Sequence, residues 1–425
     1  MFAQPARSVY VAEAWSGTPV GFQITTHGDK QYVAFYDAQQ RMMMGCRKLD
    51  SEKWTFHELD QRVGWDSHNA IAFAFDPEGH IHLSGNMHAD SLVYYRNTRP
   101  EDITSFERID RMTGEKEDRV TYPRFFHGPD GELLFAHRDG GSGAGDEIVN
   151  VYDPGTKKWA RRVSKPLFEG GDRMNAYYAG PIRDADGDYH VAWVWRNTPD
   201  CLTNHDVSYA RSKTYSENFT RSDGTSLKMP LTLENSEIVD PVPVESGLLN
   251  NVQISLDSQG RAMITYHKFD SNGHTQMYTA RREDTGWRIY QTTDWDFRWE
   301  FGGCGSIPRG IVFSSPQPFG DGRLCQLLLN ALESDVTMVR FLDEKTLQPT
   351  GEPVRLYSQE FDHPKTTHTD DWQVNISWFD LGKLITDKSI WVLRWESTGA
   401  NRDRPRDWTP PPSKLEAVEL KLADM

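Results

Sequence analysis

The chain has no run of the roughly 18 apolar residues that a membrane-crossing helix requires, so none is expected to span a bilayer. Cysteine is scarce. Cys46, Cys201, Cys304 and Cys325 are the only four, and none forms a CxxC pair, which excludes a dithiol redox motif and a zinc knuckle. One or two disulfides stay open, but a chain of 425 residues can build a core without them. Basic charge is also in deficit, with 47 Lys and Arg against 62 Asp and Glu and a net charge of -15. That balance argues against general nucleic-acid binding, since phosphate backbones demand an excess of Lys and Arg. It leaves room for an anionic polymer of another kind, because a local cluster of Arg and His inside a cleft can outweigh the global charge. Long amphipathic helical patterns are missing as well.

What the chain does have is aromatic residues, 12% of the total, and a repeated unit. The unit is a polar turn of the Asp-x-x-Gly kind, an alternating strand, and a second strand carrying Tyr, Ala or Arg. It runs through residues 73–97 and 127–140, through 182–196 with 205–212, and through 254–269 with 275–282. An early copy occupies 21–49, and later ones fall at 322–330 with 336–343 and at 374–380 with 390–395. Asp-Gly pairs supply the tight turns, and the flanking β-branched and aromatic residues supply period-two strands. Trp54, Trp159 and Trp287 sit near the outer ends of their units, where a large ring can seal one sheet against the next. Repetition of this kind predicts an all-β, seven-bladed β-propeller, with a β-sandwich and a β-helix as competitors. The expected organisation is one propeller over 1–425, with 400–425 as an extended closing segment.

Departures from simple repetition mark the candidate chemistry. His68 in WDSHN and His88 in SGNMH flank the turn at Asp76–Gly79, so both can lie at related points of neighbouring strands. Two imidazoles at one channel mouth offer a base near neutral pH and a second donor or orienter. His80 and His82 are accounted for by strand alternation beside the turn. Tyr122 precedes a strand, and Arg138 ends its partner sixteen residues later, before glycines at 140, 141, 143 and 145 that could admit close approach of a substrate. A phenol can exchange a proton with a hydroxyl or glycosidic oxygen, and a guanidinium can grip a carboxylate with two parallel bonds. The structural alternative is a core Tyr122 and an Arg138 paired with Asp139 or Asp146. A third group is scattered over later units: His205, His267, Cys304 and His368, with His363 competing for the last place. Three imidazoles and a thiolate would satisfy four-coordinate zinc.

At these residues the sequence resembles the BNR-like seven-bladed propellers that include ulvan lyases and related glucuronate-active enzymes. The motifs that carry the resemblance are GWDSHN (64–69), HLSGNMH (82–88), YPRFF (122–126), FAHRDGGSGAG (135–145), NHDVSYA (204–210) and GLLN (247–250). The resemblance implies a polysaccharide lyase that cleaves a rhamnose–uronate linkage by β-elimination, with ulvan favoured. It implies catalytic roles for His68 and Tyr122, assistance from His88, and neutralisation of the uronate carboxylate by Arg138. It also implies a structural zinc ion on His205, His267, Cys304 and His368. His137, just before Arg138, departs from the Tyr that ulvan lyases more often carry there.

Two alternatives remain at this level: an exo-acting α-L-rhamnosidase on rhamnose–glucuronate ends, and a carbohydrate-binding propeller without catalysis. The expected partner is an anionic saccharide containing uronate and rhamnose, with no nucleic acid and no membrane, and a monomer is compatible with a closed ring. Residues 1–12 lack the basic start and apolar centre of a signal peptide. A secreted or periplasmic location is therefore expected only if such a segment has been removed.

Overall fold

The repeated Asp-x-x-Gly segments fold as the sequence predicts. Asp76 accepts the Glu78 and His80 backbone N–H groups through Oδ1, while Gly79, at φ +82°, closes the turn onto the Asp76 carbonyl. The Asp257–Gly260 turn repeats the arrangement, with Gln259 and Arg261 as donors to Asp257. Each turn joins two antiparallel strands whose alternation buries one set of side chains on each sheet face.

A computed structural model of the chain describes residues 1–334, 336–358, 361 and 372–423. Within them, seven antiparallel sheets follow one another along the chain as the blades of a propeller. Blade one spans 23–62, blade two 71–108, blade three 120–161 and blade four 175–220. Blades five and six span 253–291 and 311–355. Blade seven combines Trp372–Ile376, Ser389–Thr398 and Ser413–Leu422 with the N-terminal strand Ala3–Ala14, which pairs with Ser413–Leu422 from Ala3↔Leu422 to Ala14↔Ser413. The two ends of the chain thus close one sheet, and the extended tail expected from the sequence is in part its third strand.

Packing between blades is aromatic. Leu134, Ala136 and Val149 of blade three meet Ala176, Trp193 and Trp195 of blade four in one buried cluster. Trp159 donates to Tyr94 Oη of blade two at 3.0 Å, and Trp287 lies 4.9 Å from the Tyr209 ring of blade four. Arg47 spans Trp54 of blade one and Trp391 of blade seven. Trp159 and Trp287 therefore sit against the preceding blade, and Trp54 faces it across Arg47. All four cysteines are free, so no disulfide supports this ring.

Antiparallel order decides which loops share a face. Connections between second and third strands, and between one blade and the next, open on one side of the ring; the hairpins open on the other. His68 lies between blades one and two, and His88 follows the second strand of blade two. Tyr122 opens the first strand of blade three, and Arg138 lies towards the end of its second. All four belong to the same face.

Candidate functional site

Strand register assembles the site. The short strand His88–Asp90 leaves blade two and pairs with the inner strand of blade three, so that Thr121 faces His88 on one side and Arg138 on the other. Thr121 fastens both neighbours: its Oγ1 accepts the Ala89 N–H at 2.7 Å and donates to the Gly140 carbonyl at 3.1 Å. The register slips between Thr121 and Arg124, and Tyr122 takes φ +55°. A bulge with a left-handed tyrosine is a costly local conformation, of the kind that re-aims a side chain at a functional site.

Three rings and a guanidinium converge there. His68 and His88 stack at 4.2 Å, and the Tyr122 ring lies 5.9 Å and 6.4 Å from them. The Arg138 Cζ sits 4.9 Å from the Tyr122 ring centroid. Arg138 is 2% exposed, and its Nε donates to the Gly140 carbonyl at 3.2 Å. Its two terminal nitrogens have no hydrogen-bond acceptor among the described residues. Asp139 and Asp146 both pair with Lys116 instead, which removes the structural alternative considered for Arg138. A buried guanidinium with two unsatisfied nitrogens is costly unless an anion completes it.

Carboxylates set the protonation of the histidines. Asp66 Oδ1 accepts from the His68 backbone N–H at 2.8 Å and lies 2.7 Å from His68 Nδ1; its Oδ2 lies 2.6 Å from His88 Nδ1. Asp403 Oδ2 lies 3.3 Å from the same His68 nitrogen. Burial alone would lower the His68 pKa, but hydrogen bonds and charge from Asp403 and Asp66 outweigh it and raise the pKa to about 9. Burial raises the Asp66 carboxyl, yet the two histidines hold it well below the usual carboxylate range. Tyr122 is pushed far above the usual phenol value, chiefly by burial and then by the neighbouring Tyr177, against the pull of Arg138 and Arg196.

Sequence reasoning did not single out several members of this group. Tyr177 packs 6.3 Å from Tyr122, shares a 3.0 Å hydrogen bond with Ser142 and accepts from Arg196 at 3.4 Å. Burial raises its pKa, but Arg138 and Arg196 more than offset that and lower it. Asp66 carried a local signal, an Asp two residues before a His, whose carboxylate can cap the turn. Nothing near Asp403 in sequence announced its role. The glycines at 140, 141, 143 and 145 differ in the room they leave, since a Cβ on Gly141 would meet nothing within 4 Å. They form a hairpin in which a Cβ on Gly143 would lie 2.3 Å from Thr198 of blade four.

The remaining histidines divide. His80 bonds to the Asn97 carbonyl, and His82 is enclosed by Tyr94 and Asp76, as alternation implied. His137 is buried against the Lys116 carbonyl and pushed down to about 4 by burial, so its difference from the lyase pattern does not reach the site. His205 commits both ring nitrogens, to Asp206 and Asn197. The His267 ring lies 5.3, 6.1 and 6.0 Å, centroid to centroid, from Trp299, Phe301 and Phe313, and Cys304 is exposed. His363 and His368 lie outside the described residues. Among the described residues the one trio of potential metal ligands within 4.8 Å is Asp66, His68 and His88. His205, His267 and Cys304 do not converge, so the expected zinc set does not fit this arrangement. In the trio, the imidazole nitrogens nearest Asp66 are already engaged in hydrogen bonds.

Comparison with known proteins gives this geometry a context. The profile of the BNR repeat-containing family matches residues 30–295. The short isoform of ulvan lyase from Alteromonas sp. (strain LOR) is 30% identical over 184 residues, covering 32% of this chain and 35% of that protein. The long isoform from Alteromonas sp. is 31% identical over 257 residues, 45% of this chain and 26% of its own. The chain therefore spans about a third or less of the length of these relatives. The crystal structure of polysaccharide lyase Uly1 superposes with a TM-score of 0.69 at 14% identity, covering 99% of this chain and 100% of that one. A PL25 ulvan lyase bound to GlcA(1-4)Rha3S gives 0.63 at 15% identity, with 96% and 95% covered. At such identities the two structures establish the fold.

Proposed function

The chain belongs to the BNR repeat-containing family, and from that premise we propose that it is a polysaccharide lyase that cleaves a rhamnose–uronate linkage by β-elimination, with ulvan as substrate. The sequence similarity to ulvan lyases supports the class. The observation that carries the chemistry is Arg138, a buried guanidinium with two unpaired nitrogens beside Tyr122, His68 and His88. A uronate carboxylate placed on those nitrogens would have its charge neutralised, which stabilises the enolate-like species formed when the C5 proton leaves. In this proposal His68 Nε2 takes that proton. The C5 electron pair forms the C4=C5 bond, the C4–O bond breaks, and Tyr122 gives its phenolic proton to the departing oxygen. His88, stacked on His68 and tied to Asp66, orients the base.

The protonation states agree with those roles above neutrality. A base with a pKa of about 9 is free only at alkaline pH, and a phenol raised far above its usual value keeps its proton there. The rate should therefore climb with pH as His68 deprotonates.

A polymer panel containing ulvan, gum arabic and chondroitin, read by ultraviolet absorbance and product mass, tests the assignment. Elimination gives an absorbing unsaturated uronate. Reducing ends without absorbance would indicate a rhamnosidase, and binding without product would indicate a carbohydrate-binding protein; either result would replace the lyase assignment. Secretion belongs to the same proposal.

A further inference from the structure

The loop between the second and third strands of blade seven reaches back across the channel mouth to the connection between blades one and two. Arg402 and Asp403 in this loop take consecutive left-handed conformations, φ +53° and +58°. The Arg402 guanidinium donates to the Gly302 carbonyl at 2.8 Å and the Cys304 carbonyl at 3.3 Å. Asp403 and Ser306 exchange bonds: Ser306 N–H donates to Asp403 Oδ2 at 2.9 Å, and Asp403 N–H donates to Ser306 Oγ at 3.2 Å. The segment from Gly302 to Ser306 is anchored in turn on blade four, where Gly303 N–H donates to Asp200 Oδ1 at 2.7 Å. Asp403 then turns its carboxylate to the connection between blades one and two. Its Oδ1 accepts from the Ser67 N–H at 3.3 Å and hydroxyl at 3.1 Å, and its Oδ2 lies 3.3 Å from His68 Nδ1.

We infer that Asp403 is a positioning residue for His68: together with Asp66 it holds the Nδ1 edge of the imidazole, so that Nε2 is the nitrogen presented to the uronate. Two left-handed non-glycine residues in a row are held only where surrounding contacts determine them. Here those contacts end on the one histidine to which catalysis is assigned. A carboxylate on Nδ1–H fixes the tautomer and stabilises the imidazolium that forms when a proton is taken. Asp66 serves both histidines, whereas of the two Asp403 reaches only His68. The groups facing His68 are Asp66 from its own segment, Asp403 from blade seven, His88 and Tyr122.

The inference rests on the lyase assignment only for its kinetic arm; ring titration is independent of it. Histidine nitrogen NMR across pH, on the full chain and on Asp403→Asn and Asp66→Asn, reads tautomer and titration together. In D403N the His68 midpoint should fall by roughly one unit or more, the shift that loss of an adjacent opposite charge produces. His88 should titrate unchanged in that variant, while D66N should move both rings. On ulvan, the acid limb of the kcat/KM profile should shift down with the His68 midpoint, and kcat should fall more than KM rises. An unmoved His68 midpoint in D403N, or equal movement of His68 and His88, overturns the role. Should D403N not fold, Ser306→Ala loosens Asp403 without changing charge; a lowered His68 midpoint supports the role, and an unmoved one removes it. If no polymer is cleaved by the parent, the lyase assignment fails while the NMR result still decides Asp403.

Discussion

Arg138 shows how one residue can be legible in sequence for its chemistry and illegible for its state. Its type and place before a glycine-rich segment marked it as a carboxylate ligand, but only the structure gives Asp139 and Asp146 to Lys116 and leaves the two terminal nitrogens of the guanidinium buried without an acceptor among the described residues. Arg138→Lys should not rescue function, because an ammonium is a point charge and cannot reproduce a planar fork. Initial rates by absorbance should fall by roughly 10²–10³ in either Arg138→Ala or Arg138→Lys, the loss seen when a charge-stabilising donor is removed. His68 makes a second prediction, about stability. Its folded pKa of about 9 lies above the ordinary histidine value of about 6.5, so the folded state binds its proton more tightly. The stability this provides is complete below about pH 6.5 and is lost as pH rises through about 9. Urea midpoints should therefore fall over that window in the parent, and by less in His68→Gln.

At the level of the element, the hairpin of blade three decides where the site residues point. The repeat in the sequence placed a unit at 127–140 but could not reveal the bulge at Tyr122 or the extra inner strand at His88, because both depend on which chain lies alongside. The glycines illustrate the same limit. Gly143 is required by φ +73° and by Thr198 of the next blade, while a Cβ on Gly141 meets nothing within 4 Å. Gly143→Ala should lower the melting temperature by several degrees, as a strained and overpacked substitution does, and should displace Ser142 from Tyr177. Gly141→Ala should melt within about a degree of the parent, since nothing opposes the added methyl. Differential scanning calorimetry of the pair separates local fit from a general need for glycine.

Across the whole molecule, ring closure and active-site closure are one event. Ala3–Ala14 completes the blade that also carries the loop holding Asp403. Deleting residues 1–14 would bare the long Ser413–Leu422 edge, with Leu415, Ala417 and Leu420 fully buried until then. The deletion should broaden and lower the thermal transition and promote aggregation in size-exclusion chromatography. Replacing a blade-packing ring tests the core separately: Trp193→Ala, at a fully buried position, should cost about 3–5 kcal/mol in denaturant unfolding.

Local chemistry and periodicity in the sequence determined the propeller, since each Asp-Gly turn and each alternating strand is specified within a dozen residues. They also marked His68, His88, Tyr122 and Arg138 as candidates, and the structure brings these four together on one face of the ring. Tertiary structure alone decided their partners. Asp66 lies two residues from His68, but Asp403 arrives from 335 residues away through the last blade, and Tyr177 and Arg196 come from the next one. It also decided that His205, His267 and Cys304 stay apart although their types suit a metal. A sequence pattern states which groups are present; whether they meet depends on long-range register and on the loops that cross the channel mouth, and neither leaves a periodic trace in the chain.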